Sequence, residues 1–406
     1  MAKYKIINDP VHGFISIPGE SILQLIDHPY FQRLRHIAQM GLSYLVYPGA
    51  QHTRFQHALG AMYLMGRALD VLQRKGIPVS DEEKTASMQA ILLHDIGHGP
   101  FSHALEAVVV PGLHHEALSL AVMRRLNEQT GGALTLALDI FRNRYSRKFF
   151  HELISGQLDT DRLDYLQRDS FYTGVVEGRI NAGRIIDMLY VKDDKLCVEE
   201  KGIYSVEKFI VSRRFMYWQV YMHKTSFMFE KLLAQALRRA QALFRNGHHI
   251  ELDDDLAYFF GLQDQHITAP VIDRFTRLTD ADILVHLKKW TTSDDYVLSK
   301  LASAITYRRP FRIEIAGKPF APGYIRQIKS RLMQALPSKR DAEEALSYLV
   351  LQGTMQNRAY DEQNEPIYIY TKDGRLREFA HMTDHQYIRA LSEDTVKYYL
   401  IYPREP

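Results

Sequence analysis

Apolar residues along the chain recur mostly at the three- and four-residue spacing of an α-helix. This periodicity predicts helices over residues 21–26, 29–39, 54–72, 81–93, 149–158 and 206–244, and another that begins at residues 114–116. The segment 54–72 is apolar nearly all the way round, which is typical of a buried helix. A short alternation at residues 5–8, followed by Asp9, Pro10 and Gly13, predicts a small strand that ends in a turn.

After about residue 290 the pattern changes to period two. The segments 311–317, 366–379 and 397–403 alternate apolar and polar side chains, and a Lys-Asp-Gly sequence predicts a hairpin turn in the second of them. We therefore expect a mainly α protein, with a helical core over residues 1–290 and a small α+β lobe over residues 291–406. The lobe carries no catalytic signature, which favours a structural role or a role in oligomer formation.

The composition is that of an ordinary globular protein, with 46% hydrophobic and 24% charged residues. The net charge of +3 gives no global basic field that would indicate nucleic acid or a membrane surface as a partner. No apolar run has the length of a membrane span or of a signal-peptide core, so we expect a cytoplasmic protein. Cys197 is the only cysteine, which excludes a disulfide within the chain and favours histidine and carboxylate as metal ligands.

The candidate chemistry is concentrated in the sequence LLHDIGHGPFSHALE, residues 92–106. His94 and Asp95 stand at the end of a predicted helix, where one nitrogen and one oxygen can reach a single metal ion. A lone histidine beside an apolar helix is more often a hydrogen-bonded core residue than a ligand. Burying many polar groups without partners is costly, however, and four of them fall within ten residues here: His94, Asp95, His98 and His103. This density favours a functional site.

Three other stretches give weaker signals. His57 and Arg54 lie at the start of the buried helix predicted over residues 54–72. Residues 158–170, LDTDRLDYLQRDS, place carboxylates, cations and a phenol on neighbouring turns, which suits a metal ion with a phosphate but is also typical of a solvated helix face. Basic and aromatic residues alternate between Arg213 and Lys224, where core packing is the more usual explanation.

Taken in order, these residues resemble a known family. His57, the pair His94-Asp95 and Asp161 match the H…HD…D signature of the HD-domain metal-dependent phosphohydrolases. Five motifs, KIINDPVHG, FQRLR, YPGAQHTRFQHALG, HDIGHGPFSH and DTDRLDY…RD, are similar to the deoxynucleoside triphosphate triphosphohydrolases, including the vertebrate sterile-alpha-motif-and-HD-domain enzymes. The resemblance covers roughly residues 4–245 and implies an HD-domain helical core.

The resemblance implies roles for individual residues. A divalent ion (manganese, iron, magnesium or zinc) would be bound by His57, His94, Asp95 and Asp161. Three residues would act beside the α-phosphate in attack and in protonation of the leaving group: His98, His115 and Glu106. The substrate's triphosphate and sugar would be held by Gln39, Arg54, Arg162, Tyr165, Asp169, Arg213, Tyr221 and Lys224. An activating guanine nucleotide, GTP or dGTP, would bind at Lys5, Asn8, Asp27, Gln32 and Arg35.

The reaction that this resemblance implies is hydrolysis of a deoxynucleoside triphosphate between the α-phosphate and the 5′ oxygen. The products are a deoxynucleoside and inorganic triphosphate, and the active assembly would be a homo-oligomer, a dimer or a tetramer. Glu106 stands where the vertebrate enzymes have an aspartate but is similar to bacterial members, and two further residues depart from the family pattern. Gln219 replaces a basic residue expected in a second activator pocket, and Met40 replaces a leucine near the sugar.

Two other function classes stay open from the sequence. One is an HD phosphohydrolase that acts on another nucleotide or phosphoester, as a phosphatase or phosphodiesterase, and would not release inorganic triphosphate. The other is a nucleotide-sensing or single-stranded nucleic-acid-binding protein. The complete set of metal ligands argues against this second class, and the basic and aromatic residues between Arg213 and Lys224 argue for it.

Overall fold

A computed structural model describes residues 5–101, 114–263, 266–357, 365–383 and 395–404, and within them the chain is mainly helical, as predicted. The α-helices are α1 (Glu20–Asp27), α2 (Pro29–Gln32), α3 (Arg54–Arg74), α4 (Asp81–Leu93), α5 (His115–Gln129), α6 (Thr135–Phe141), α7 (Phe149–Glu152), α8 (Thr160–Thr173), α9 (Ala182–Asp187), α10 (Ile203–Met216), α11 (Lys224–Arg245), α12 (Asp254–Gly261), α13 (Ala269–Phe275), α14 (Asp280–Trp290), α15 (Tyr296–Thr306), α16 (Pro322–Ala335), α17 (Ala342–Leu349) and α18 (Phe379–Met382). The strands are β1 (Ile6–Asp9), β2 (Gly13–Ser16), β3 (Leu189–Lys192), β4 (Lys195–Glu199), β5 (Arg312–Ala316), β6 (Leu351–Asn357), β7 (Tyr368–Tyr370), β8 (Leu376–Glu378) and β9 (Thr395–Tyr402).

Helix α3 lies at the centre of the N-terminal half and is buried on most of its surface, as its apolar sequence predicts. A capping box at Thr53 and Gln56 starts the helix, and α4 and α8 pack against it. The contact with α8 is very close at Gly60, because a Cβ there would lie 2.0 Å from Asp164 Oδ1. A glycine is therefore required where α3 meets α8.

The predicted strand and turn at the N-terminus form a two-stranded hairpin. β1 and β2 are antiparallel, with Ile6 opposite Ser16 and Asp9 opposite Gly13. Gly13 has a φ of 74°, a conformation that glycine adopts without strain. This hairpin places the Asp9 carboxylate at its buried end.

Two further sheets combine distant parts of the chain. The first sheet has the strand order β3-β4-β7-β8. It joins the hairpin β3-β4, which was not predicted from the sequence, to the predicted hairpin at residues 366–379. β7 runs parallel to β4. Ile367, Ile369 and Phe379 thereby enter the same hydrophobic cluster as α3 and α4. The second sheet has the order β5-β9-β6 and packs with α11 and α15 in a second cluster. The domain boundary at residue 290 stays a prediction.

Three predicted helices are shorter than expected. The helix over residues 29–39 ends as α2 and continues as a 3₁₀ turn at Arg33–His36, after which Ile37 is extended. The helix over residues 149–158 ends at Glu152. The helix over residues 206–244 is split by a π-helical turn at Tyr217–Tyr221 and by His223, whose ring accepts a hydrogen bond from the Thr225 amide. Of the helices in the described segments, none combines the length and the apolar character that crossing a bilayer requires.

Candidate active site

Each predicted metal ligand is placed by the end of a helix. His57 lies in the first turn of α3, and His94 caps the C-terminus of α4, directly before Asp95. Asp161 lies in the first turn of α8, which starts where the Asp159 carboxylate accepts a hydrogen bond from the Arg162 amide at 2.7 Å. The three helix ends meet at one point, although α8 lies far from α3 and α4 in sequence.

The ligating atoms of His57, His94 and Asp161 lie within 4.8 Å of one another. Asp161 Oδ1 is 3.0 Å from His57 Nε2 and 3.5 Å from His94 Nε2. Both Nε2 atoms are buried, and within the described residues neither makes a hydrogen bond. Burying such nitrogens without a partner is unfavourable, whereas a metal ion bound to both would satisfy them. Two imidazoles and a carboxylate suit a divalent ion of the transition series.

The predicted fourth ligand, Asp95, lies beside this group and has other partners too. Its Oδ1 is 3.3 Å from His94 Nε2 and its Oδ2 is 3.8 Å from His57 Nε2. The same Oδ2 accepts a hydrogen bond from Arg54 Nη1 at 2.5 Å, and His98 Nε2 is 3.2 Å from Oδ1. Asp95 therefore connects the ligand group to Arg54 and His98.

In His57 and His94 the Nδ1 atom has a hydrogen-bond partner, so Nε2 is the nitrogen that can bind a metal ion. His57 Nδ1 is 2.8 Å from Asp164 Oδ2, and His94 Nδ1 is 2.6 Å from the Ile91 carbonyl oxygen. Such partners hold the imidazole with its proton on Nδ1. Asp164 had no predicted role, although its position three residues after Asp161 on the same helix is the local signal that marks it.

The electrostatics of the group favour a bound cation. Burial disfavours the protonated form of His57, but the close Asp161 and Asp164 carboxylates outweigh burial and raise the pKa of His57 to about 10. Burial acts to raise the pKa of Asp164, but Arg168 and the neighbouring histidines hold it well below its usual value. The carboxylates around His57 therefore create a negative environment that a divalent ion would neutralise.

Two of the three predicted catalytic residues lie together next to Asp95. The rings of His98 and His115 are stacked, with centroids 4.0 Å apart and an interplanar angle of 16°. His98 is buried, and its pKa is lowered to about 3, first by burial and then by the charge of Arg54. Glu106, the third predicted residue, lies outside the described residues, as does His103.

A cavity of about 460 Å³ opens beside these residues. Five of the predicted substrate-binding residues line it: Gln39, Arg54, Tyr165, Asp169 and Tyr221. Met40, Gly41, Ser43, Tyr217 and Glu230 also line it, and of these the sequence analysis had singled out Met40 alone. Metal-site residues and predicted sugar-binding residues thus share one cavity.

The other three predicted substrate-binding residues are not among those that line the cavity. Arg162 bonds to the Asp159 carboxylate and to the Gly156 carbonyl. Arg213 donates to Gln157 Oε1 at 3.0 Å and lies 5.8 Å from the ring of Tyr217. Lys224 is an exposed residue at the start of α11. Their predicted roles stay predictions.

Two predicted sugar-binding residues, Tyr221 and Asp169, are hydrogen-bonded to each other, and His52 also contacts Asp169. The Tyr221 hydroxyl donates to Asp169 Oδ2 at 2.7 Å, and His52 Nε2 lies 2.6 Å from Asp169 Oδ1. His52 carries no local sequence signal for this contact, because its partner Asp169 is more than a hundred residues away. The π-helical turn at Tyr217–Tyr221 brings Tyr221 to this position.

The loops around the cavity are held by Arg33 and Asp280, which the sequence analysis did not assign to the site. Arg33 Nη2 donates to the carbonyl oxygens of Ile96 and His98, at 3.2 and 2.7 Å. The Asp280 carboxylate accepts from the amides of Ala38 and Phe101, at 2.7 and 2.9 Å. Both residues are buried, so they fix the backbone on either side of the site.

The predicted activator residues form two pairs near the N-terminal hairpin. Lys5 Nζ lies 3.2 Å from Asp27 Oδ1, and Arg35 Nε donates to Gln32 Oε1 at 2.8 Å. Asn8 lies in β1, opposite Phe14. Nothing in this arrangement tests whether a nucleotide binds there, so the activator site stays a prediction.

Comparison with known proteins agrees with this geometry. The HD domain model matches residues 54–169, and the model of the HD associated region matches residues 180–278. A solved phosphohydrolase from Bacteroides thetaiotaomicron superposes with a TM-score of 0.95 at 46% identity, covering 99% of this chain and 100% of that chain. The chain belongs to the HD-domain phosphohydrolase family. HD domains bind divalent metal ions, and the ligand group of this HD phosphohydrolase lies within the matched region.

Two relatives extend the comparison. The HD phosphohydrolase is 30% identical to the uncharacterized protein YwfO of Bacillus subtilis over 394 residues, which are 94% of this chain and 88% of the relative. It is also 30% identical to the deoxynucleoside triphosphate triphosphohydrolase SAMHD1 homolog of Dictyostelium discoideum over 279 residues, which are 64% of this chain. The match covers 53% of that relative, so the chain spans about half the length of the triphosphohydrolase.

Proposed function

We propose that this HD phosphohydrolase hydrolyses deoxynucleoside triphosphates to a deoxynucleoside and inorganic triphosphate. The proposal rests on one cavity that is lined by three groups of residues. These are the predicted metal-binding carboxylates Asp95 and Asp161, the stacked rings of His98 and His115, and the predicted sugar-binding residue Asp169 with its partner Tyr221. A related triphosphohydrolase, the Dictyostelium discoideum homolog, supports the choice of substrate.

The residues of the site fit the steps of this reaction. A divalent ion held by His57, His94, Asp95 and Asp161 would lower the pKa of a water molecule and offset phosphate charge. Arg54, already bonded to Asp95, is placed to bind a phosphate oxygen as negative charge develops on it. Water oxygen attacks the α-phosphorus and gives up a proton, the bond from phosphorus to the 5′ oxygen breaks, and that 5′ oxygen takes up a proton.

Other residues of the same cavity would transfer the proton and bind the sugar. His98 Nε2 lies 3.2 Å from Asp95 Oδ1 and the His115 ring stacks on His98, and we assign the proton transfer to this pair. The Tyr221 ring and the Asp169 carboxylate, which line the same cavity, would contact the sugar. We also propose that GTP or dGTP binds near Lys5 and Asp27 and that the active form is a dimer or tetramer.

Product analysis by anion exchange tests this function. The manganese-loaded protein is incubated with each of the four deoxynucleoside triphosphates, with and without GTP, beside the Asp161→Ala variant. We expect inorganic triphosphate and a deoxynucleoside from the wild-type protein and neither from the variant. The matched control is Asp187→Ala, a half-exposed carboxylate on α9, which keeps the wild-type rate. Release of pyrophosphate or monophosphate in place of triphosphate would overturn the proposed function and indicate another phosphoester substrate.

A further inference from the structure

The N-terminal hairpin reaches the metal site through a chain of buried charged groups. Asp9, at the end of β1, is 5% exposed, and its Oδ1 accepts hydrogen bonds from the amides of Val11 and His12 at 3.0 and 2.9 Å. These bonds form the turn of the hairpin and direct the His12 side chain inward, where it is 5% exposed.

Arg168 connects Asp9 to Asp164 on α8. Its Nη1 donates to Asp9 Oδ2 at 2.8 Å, and its Nε and Nη2 donate to the two oxygens of Asp164 at 2.8 and 3.0 Å. The guanidinium is completely buried and lies against α3, since a Cβ on Gly60 would come within 2.3 Å of it. This crowding fixes the guanidinium in one position.

Asp164 in turn holds a metal ligand. His12 Nε2 lies 2.6 Å from its Oδ1, and His57 Nδ1 lies 2.8 Å from its Oδ2. The carboxylate therefore has a partner at each oxygen besides Arg168, and its orientation depends on both His12 and Arg168. The orientation of the His57 ring depends on Asp164, because partners beyond the ligands set the ring orientation in metal sites.

We propose that His12 is a positioning residue for the metal centre, acting through Asp164 on His57. The N-terminal hairpin is then part of the metal site, although none of its residues contacts the ligand group directly. The proposal rests on the metal site of the proposed function. It makes a claim about metal affinity that does not depend on which phosphoester is hydrolysed.

Metal affinity measured by titration tests the proposal without a substrate. Manganese is titrated into metal-free wild-type, His12→Ala and His12→Gln proteins, and binding is followed by calorimetry. We expect His12→Ala to bind about 10- to 100-fold more weakly, as is usual when such a partner is lost. His12→Gln keeps a hydrogen-bond donor for Asp164 and should recover most of the affinity. The control is Phe14→Ala, an exposed residue on the same hairpin.

The outcomes separate positioning from general stability. Thermal unfolding of the metal-free proteins should give similar midpoints for wild type, His12→Gln and Phe14→Ala. Unchanged manganese affinity in His12→Ala would overturn the proposal, as would a loss of affinity that follows the unfolding midpoint and is not recovered by His12→Gln. A wild-type protein that binds no manganese would instead contradict the proposed function.

A second, independent observation concerns Glu230 on α11. Its side chain lines the cavity, and a Cβ on Gly41 would lie 3.8 Å from its Oε1, so it faces the loop that follows Gln39. Within the described residues no hydrogen bond or ion pair is made to this carboxyl. The neighbouring Lys231 instead lies 5.0 Å above the ring of Phe227. Burial raises the pKa of Glu230 to about 7.

A carboxylate that lines the cavity can accept hydrogen bonds from donor groups on a ligand. Of the four DNA bases, guanine alone presents two adjacent N–H groups that both oxygens of one carboxylate can accept. Glu230 lines the same cavity as the predicted sugar contacts Gln39 and Tyr221, and it faces the loop that follows Gln39. We propose that Glu230 reads the guanine edge of the substrate, which deepens the proposed function by naming its preferred base.

Comparing dGTP with dITP, which lacks the 2-amino group, tests this assignment. All reactions contain saturating GTP so that activation is equal. We expect the wild-type kcat/KM to favour dGTP over dITP by about 10-fold, as for loss of one good base contact, and Glu230→Gln to reduce this ratio to about one. The exposed Glu128→Gln serves as control. Equal rates for dGTP and dITP in the wild type overturn the assignment, whereas hydrolysis of no deoxynucleoside triphosphate contradicts the proposed function.

Discussion

At the scale of single residues, the hydroxyl of Tyr221 gives the sharpest test of substrate binding in the proposed cavity. It donates to Asp169 Oδ2 at 2.7 Å, and a hydrogen bond to a charged group contributes about 1.5–3 kcal/mol. We expect Tyr221→Phe to lower kcat/KM for a deoxynucleoside triphosphate by about 10- to 100-fold through misplacement of Asp169. Tyr204→Phe, on an exposed residue of α10, should leave it unchanged. Equal steady-state kinetics for both variants would show that the pair does not contact substrate.

Residues of the site differ in how far the sequence could predict them. The structure brings His57, His94, Asp95 and Asp161 together, and these are the residues marked by a local motif. His12, Asp9 and Arg168 carry no such mark, because their partners are brought close by the fold: His12 and Asp164 are separated by 152 positions. His52 was missed for the same reason. Local spacing marks the predicted ligands, and long-range packing brings the residues around them into contact.

At the scale of elements, the close contact between α3 and α8 predicts that replacement by alanine destabilises the protein at Gly60 of α3 but not at Gly66 of the same helix. Gly60→Ala would place a Cβ 2.0 Å from Asp164 Oδ1, and overpacking of this kind costs about 1–3 kcal/mol. At Gly66 the nearest atom is the flexible Met88 Cε, at 3.1 Å. Gly66→Ala should therefore be nearly neutral, because alanine also favours the helix. Urea unfolding checks both variants, and equal destabilisation would contradict the packing described.

The elements that the sequence analysis mispredicted have identifiable causes. The helix over residues 149–158 stops early because the Asp159 carboxylate accepts hydrogen bonds from the Gly156 and Arg162 amides and starts α8 instead. The helix predicted over residues 29–39 changes to a 3₁₀ turn at Arg33. The guanidinium of Arg33 donates to the carbonyl oxygens of Leu278 and His98, which are distant in sequence. Apolar periodicity reports which face is buried. It does not report such competing hydrogen bonds.

At the scale of the whole molecule, metal binding should be linked to stability. A ligand present at 100 times its Kd stabilises the folded state by about 2.7 kcal/mol, so removing the ion with a chelator should lower the unfolding temperature. We expect manganese to restore it in the wild type and in Asp187→Ala but not in Asp161→Ala. Differential scanning calorimetry measures all three. If manganese still raised the unfolding temperature of Asp161→Ala, the ion would bind at a different site.

The most direct measurement for the central claim is hydrolysis of dGTP in water enriched in oxygen-18, with both products analysed by mass spectrometry. Attack at the α-phosphorus predicts one heavy oxygen in inorganic triphosphate and none in the deoxynucleoside. Label in pyrophosphate, in orthophosphate or in the deoxynucleoside would show that a different bond is broken. Any of these three results would contradict the proposed triphosphohydrolase activity of this HD phosphohydrolase.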